Sequence, residues 1–259
     1  MHRPLPPPSA PSAIVALMLR EMASVYGRSP GGYVWAIAEP VAAIALMAYV
    51  FGIAFSVPAL GRDFALFYAT GYLPFMLFTD VTSKVGTALR FSRALLAFPA
   101  ITLFDALIAR WLLNVMTHIV VFFVVMAGVE ARGETGAVYD GARVLNALAM
   151  AACLAWGVGL LNAWLIPRFA IWERFWAVMT RPLFVVSGVF FLYEQIPNDL
   201  RGAAWFNPLV HVTAEMRRAA YPGYDAAFVS APYVYGFALV CGAAGLLMLR
   251  AAGRDILQG

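Results

Sequence analysis

Of the 259 residues, 63% are hydrophobic and only 12% are charged, with a net charge of +4 and a mean hydropathy of +0.78. A soluble domain carries about 25% charged residues, so a water-soluble globule is excluded; a membrane-crossing helix needs roughly 20 mainly apolar residues, and the charges leave room for about six. The two cysteines lie in apolar runs and imply no disulfides, the three histidines are too scattered for a metal site, and no GxxxxGK[ST] loop offers a P-loop for ATP.

In chain order, residues 1–11, MHRPLPPPSAP, read as a proline-rich cytoplasmic tail that cannot be helical. Ser12 reads as the N-cap of an amphipathic helix over 12–30. Ile14, Leu17, Met18, Met22 and Val25 recur at helical spacing, while Arg20, Glu21 and Ser24 interrupt the apolar surface. Too polar to span, this segment fits a helix lying in the membrane interface; docking against the rest of the protein is the alternative. A permease domain occupies 31–259, with spans at about 33–56, 64–82, 101–129, 144–166, 175–193 and 226–249. Between the second and third spans, SKVGTALRFSRALLA over 83–97 forms an amphipathic segment with Lys84, Arg90 and Arg93 exposed. That shape fits a groove on a cytosolic partner.

The fifth span is too short to cross alone. Residues 182–193 are uncharged, but Ser187 and Gly188 interrupt them, and a Pro/Trp/Asn-rich stretch occupies 194–222. Backbone that leaves the helix at membrane depth survives only where protein or a water cavity shelters it. The stretch therefore reads as a re-entrant lid over the outer mouth of a pathway, with Asn207 before Pro208 opening a short helix. A plain surface loop competes with that reading. Twelve of the eighteen basic residues fall on inner segments when the N-terminus is inside, so both termini are expected in the cytoplasm.

Glu39 and Asp80 are the acids deepest in apolar sequence and are functional suspects for that reason; pairing with an arginine is the competing explanation, and spacing gives neither of them an acidic or histidine companion. Aromatics crowd the first two spans, Tyr33, Trp35, Tyr72 and Phe75 among them. Their faces can stack on sugar rings while polar edges bond hydroxyls, although lipid-facing placement also accounts for them. In the fourth span Ala147, Ala151, Ala155 and Gly159 stack at spacing four, which suits close helix packing inside one subunit or between two.

Three strings carry a resemblance. REMASVYGRSPGGYVWAIAEP, FSRALLAFPAITLFDALIAR, and RPLFVVSGVFF with WFNPLVHVTAEMRRAAY after it occur in that order along the chain. They resemble the interfacial helix and first span, the ATPase-docking segment, and the fifth span with its re-entrant helices in the membrane subunits of ABC exporters for capsular polysaccharide and O-antigen, part of the type-2 ABC exporter superfamily. The resemblance implies an all-α integral membrane protein of six transmembrane helices, with an interfacial helix, a cytoplasmic coupling helix and re-entrant outer helices. It also implies a homodimer in the bacterial inner membrane, seated on a cytosolic ABC ATPase dimer that binds ATP and Mg, with a glycan passage between copies.

No catalytic or metal residue and no cofactor is expected in this chain, and no nucleic acid partner. Short loops favour the capsule branch, whose members also engage a periplasmic co-polymerase and an outer-membrane channel. On this reading Lys84, Arg90, Arg93, Leu95 and Leu96 couple to the ATPase. Arg20, Arg28, Tyr33, Trp35, Glu39, Tyr72 and Phe75 line the entrance or path, the arginines holding phosphate or acidic sugar. Ser187, Gly188, Trp205, Asn207, Pro208, Arg217 and Arg218 form the outer gate, where the two arginines either hold anionic sugar or brace the outer helices. Export of O-antigen, another lipid-linked glycan, or a small drug or lipid, and proton-driven secondary transport, are the alternatives.

Overall fold

The computed structural model describes residues 10–26, 32–55, 57–92, 102–133 and 138–251, and these contain helices and no strand. Helix α1 (Ala10–Tyr26) starts ahead of the expected Ser12 cap. Pro11 falls in its first turn, where a missing N–H is no loss, so the tail gives its last two residues to the helix. Ala13 and Leu17 are buried, Leu17 against Ala106 and Ala109 of a later helix, while Val15 and Leu19 stay exposed. One face of α1 is thus docked on protein and another is open and apolar.

Among the described residues five helices are long and apolar enough to cross a membrane: α2 (Gly32–Ala54), α3 (Phe64–Gly86), α5 (Leu103–Glu130), α6 (Gly141–Arg168) and α10 (Ala231–Ala251). Each start is chemically marked where a cap is described. Asp63 accepts the Ala65 N–H, Asp140 accepts from Ala142 and Arg143, and Thr102 with Asp105 makes a capping box. The core lies between α3 and α6: 72% and 67% of their apolar stretches are buried, against 11% in peripheral α2.

Small residues bring the central helices together. The ridge of Ala147, Ala151 and Ala155 is fully buried, and a Cβ on Gly159 would lie 2.8 Å from Val85 Cβ. The ridge is therefore filled by α3 of the same subunit. On the opposite side of α6, a Cβ on Gly157 would meet the Ala238 carbonyl oxygen at 2.1 Å, so α6 and α10 touch backbone to backbone.

Two expectations need correction. The segment 83–97 is not one helix: α3 continues through Gly86, Thr87 closes it, and a separate five-residue helix α4 (Ala88–Ser92) comes next, with Ala88 and Leu89 buried. The fifth span, expected over 175–193, is α7 (Trp172–Val186), only 15 residues, or about 22 Å. It stops at Ser187, and Gly188 adopts φ +74°, a left-handed turn that a Cβ would strain. No single helix makes the sixth crossing among the described residues.

Beyond α7 the chain folds back. A 3-10 turn (Tyr193–Gln195) leads into α8 (Asn198–Trp205) and then α9 (Pro208–Ala220). The Asn207 amide bonds to the end of α7, whereas the Ala219 carbonyl accepts the Asp140 N–H at the start of α6. Helix α8 thus descends from the end of the bundle and α9 climbs back to it, packed among α3, α6 and α10. Eleven of the 13 residues of α9 are buried, which rules out a loose surface loop.

Candidate functional site: a charged aromatic groove

A cavity of about 420 Å³ opens between α2, α3 and α7. On α3, Tyr72, Phe75, Met76, Thr79 and Asp80 recur every three or four residues and so share one face. Glu39 of α2 closes one side, and Thr180, Arg181 and Phe184 of α7 the other. Each wall also carries a helix-interior proline, Pro40, Pro74 or Pro182, which removes a rung from the hydrogen-bond ladder at about the level of the groove.

Charge in this groove is only partly compensated. Asp80 Oδ2 lies 3.3 Å from His118 Nε2; the imidazole is buried while the carboxylate is half-exposed to the groove. The partner of Asp80 is thus a histidine from α5 and not the arginine of the competing explanation, a companion that spacing along one segment could not reveal. Arg181 makes no hydrogen bond or ion pair among the described residues. Nine residues into α7, it stands about 14 Å along that helix; an unpaired ionisable group at that depth is expected to serve function.

Aromatic rings extend the groove toward the α9 end. The Phe184 ring lies 5.1 Å from Phe75, 6.1 Å from Tyr72 and 5.0 Å from Phe190, and Phe190 in turn is 5.7 Å from Tyr68 and 5.5 Å from Phe51. Beyond them a second cavity of about 250 Å³ is lined by Phe51, Phe55, Phe64, Phe67 and Tyr68. Aromatic faces interleaved with carboxylate, guanidinium and hydroxyl groups suit a polymer of hydroxylated rings, each group offering a shallow foothold.

Of the expected path residues, Glu39, Tyr72 and Phe75 come together here. Trp35 lies on the exposed surface of α2 and Arg20 on that of α1. Arg28, Arg93, Leu95 and Leu96 lie outside the described residues, as does the side chain of Tyr33. Thr79, Thr180, Arg181 and Phe184 were missed. A charge inside an apolar run was the available signal for Arg181, which the count of basic residues instead placed at the inner boundary.

Several of the expected gate residues meet, and their contacts tie the outer helices together. Asn207 caps α9 by accepting the Leu209 N–H at 3.1 Å, and its amide donates to Ser187 Oγ at 3.1 Å. Pro208 occupies the first turn of α9, where it costs nothing. Thr213 donates to the Ser187 carbonyl. Trp205 packs edge-on to His211, whose Nε2 bonds the Trp205 carbonyl, while Nδ1 takes the Ser230 N–H; one ring nitrogen donates and the other accepts, as in a neutral imidazole.

Arg217 takes the bracing place, one of the two open to it from the sequence. It is 2% exposed, donates to the Val189 and Phe191 carbonyls at 2.9 Å each, and lies 4.2 Å over the Phe67 ring. These carbonyls lie in the non-helical stretch just past α7, so the Arg217 guanidinium is engaged by backbone. Arg218 pairs with buried Glu215 at 3.2 Å; Glu215 also accepts from Asn146, which bonds Tyr235. This chain of contacts, which no spacing along the sequence suggests, ties α9 to α6 and α10.

At the opposite end, Arg110 is buried and gathers four elements. Nε reaches Glu21 of α1, Nη1 reaches the Lys84 carbonyl and Thr87 Oγ1, and the guanidinium sits 4.3 Å over the Phe91 ring of α4. The backbone of Lys84 is thereby engaged although its side chain stays half-buried. Arg90, expected to face a partner, stays exposed and forks onto Glu173 at the start of α7 at 2.8 and 2.9 Å. That bonding holds the Glu173 carboxyl below its ordinary range and raises Arg90.

The ABC-2 type transporter family matches residues 12–221. Among similar curated proteins, the polysialic acid transport protein KpsM of Escherichia coli is 28% identical over 237 residues, 92% of either chain. The capsule polysaccharide export inner-membrane protein CtrC of Neisseria meningitidis serogroup B is 28% identical over 216 residues, 82% of this chain and 80% of its own. BexB of Haemophilus influenzae, with the same description, is 25% identical over 210 residues, 81% and 79%.

Proposed function

The chain belongs to the ABC-2 type transporter family, and from that premise we propose that it is the membrane subunit of an ATP-driven exporter carrying capsular polysaccharide from cytoplasm to periplasm. The groove carries this reading. Glu39, Asp80 and Arg181 beside stacked aromatics suit a hydroxylated polymer, and the named relatives export polysaccharide.

A polar groove open to lipid is unstable, so a second copy of the chain is the natural cover: exposed apolar residues of α2 and α7, among them Val41, Val178 and Val185, remain for it. The α1 end faces the cytoplasm on the count of basic residues. There a separate ABC ATPase dimer, holding ATP and Mg, docks on α4 and the residues after it. The re-entrant α8 and α9 face the periplasm, where a co-polymerase and outer-membrane channel would continue the route. O-antigen is the nearest alternative cargo.

Deleting the gene should abolish surface polysaccharide, and the wild-type chain should restore it. Thr79→Trp, which fills the groove from a half-buried position, should insert normally and restore none. Polysaccharide that persists after deletion would refute the export reading. The His118–Asp80 pair is the one observation favouring a proton-driven transporter; export that survives loss of the ATPase but fails with an uncoupler would establish that instead.

A further inference from the structure

Helix α7 walls the groove, yet none of its residues is buried. It is held chiefly at its two ends. At the α9 end, Asn207 and Thr213 bond Val186 and Ser187. At the α1 end, Trp172 Nε1 donates to Asn162 Oδ1 at 2.9 Å and Glu173 takes the Arg90 fork.

Helix α4 therefore sits between two unlike attachments. On one side the buried Arg110 ties the α3–α4 junction and Phe91 to α1 and α5. On the other, Arg90 reaches α7 through an exposed but two-pronged pair, which fixes direction as well as distance. We infer that the Arg90–Glu173 fork is the positioning pair through which a displacement of α4 reaches α7 and moves the groove wall. The inference rests on the proposed docking of an ATPase at α4.

Lever geometry supports it. From Ser187, where α7 is anchored, to Glu173 is fourteen residues, about 21 Å; Arg181 is six residues from the anchor, about 9 Å. A shift imposed at Glu173 thus reaches Arg181 at roughly two-fifths of its size. Rings packed on Phe184 would re-stack with it. An exposed ion pair adds little to folding, so a fork between the docking helix and an otherwise lightly packed wall is better suited to transmission than to stability.

The test uses the full exporter, the chain with its ATPase, in a strain lacking the gene and in proteoliposomes. Variants are R90E, E173R, the combined R90E/E173R, the neutral E173Q, and R90K. Surface polysaccharide should fall about tenfold in each charge reversal, while insertion and ATPase rate stay within about twofold of wild type. The combined swap should recover most of the export, because the fork re-forms with reversed polarity. E173Q should also lose export, and R90K should retain an intermediate level, since an ammonium cannot grip both oxygens. Single reversals that export normally, a combined swap no better than its parents, or export and ATPase falling together would each overturn the inference. Those results leave the wild-type chain restoring export; a deletion strain that keeps its polysaccharide refutes the export reading itself, and this inference with it.

Discussion

Replacing Arg217 by alanine separates a brace from a gate. The substitution strands the Val189 and Phe191 carbonyls in a buried site, at about 1–3 kcal/mol each. It also removes the stacking on Phe67, worth about 2 kcal/mol when desolvated. Relief of burying a charge, and of a guanidinium Nε that has no partner, offsets part of this. The net is a loss of roughly 3 kcal/mol, or a drop of about 6–12 °C in thermal midpoint for a chain of this size. Arg218→Ala, at a partly exposed pair, should cost no more than about 1 kcal/mol. Thermostability of the detergent-solubilised protein, tracked by size-exclusion chromatography, measures both. If R217A melts within about 2 °C of R218A yet abolishes export, Arg217 contacts cargo and the bracing argument is wrong.

Gly157→Ala should lower stability by about 1–3 kcal/mol, because its Cβ would press on the Ala238 carbonyl at 2.1 Å and force α10 outward. Gly242→Ala, with its nearest neighbour at 3.5 Å, should be tolerated in the same melting assay. Asn207→Ala should cost about 2 kcal/mol by uncapping α9 and freeing Ser187, and Asn207→Asp, which keeps the capping oxygen, should fall between. The Arg90–Glu173 contact should depend on pH in one direction. Its carboxyl is held below the ordinary value by hydrogen bonding to Arg90, so the contact is fully present above that value and is lost as pH falls through the lowered one. Spin-label distances between α4 and the first turn of α7 should be flat from neutral pH to about 6 and lengthen under acid, with no such step in Glu173→Gln.

Sequence alone was enough for the broad architecture. Six spans are read from the apolar runs, and five of them are long apolar helices among the described residues, because a bilayer demands length and hydrophobicity that few other environments tolerate. The break after the fifth helix was legible too: Ser187-Gly188 and Asn207-Pro208 are local backbone signals, and α9 lies sheltered among helices. Glu39, Tyr72 and Phe75, which share one groove, stand out in the sequence because acids and aromatics inside apolar runs are conspicuous.

Partnership was what the linear order concealed. Arg217 and Arg218 are neighbours of one type, yet one fills the backbone gap left by α7 and the other pairs with Glu215. His118 meets Asp80 across 38 positions, and Arg90 meets Glu173 across 83. The alanine ridge of α6 is the same in sequence whether it packs on α3 or on another copy, and only Val85 against Gly159 decided between them. Length, polarity and turn chemistry are local properties, so the residues themselves determined the helices and the point where the fifth one fails. Which charge is used up inside the protein and which is left facing the groove depends on distances between segments far apart in the chain, and folding alone sets those.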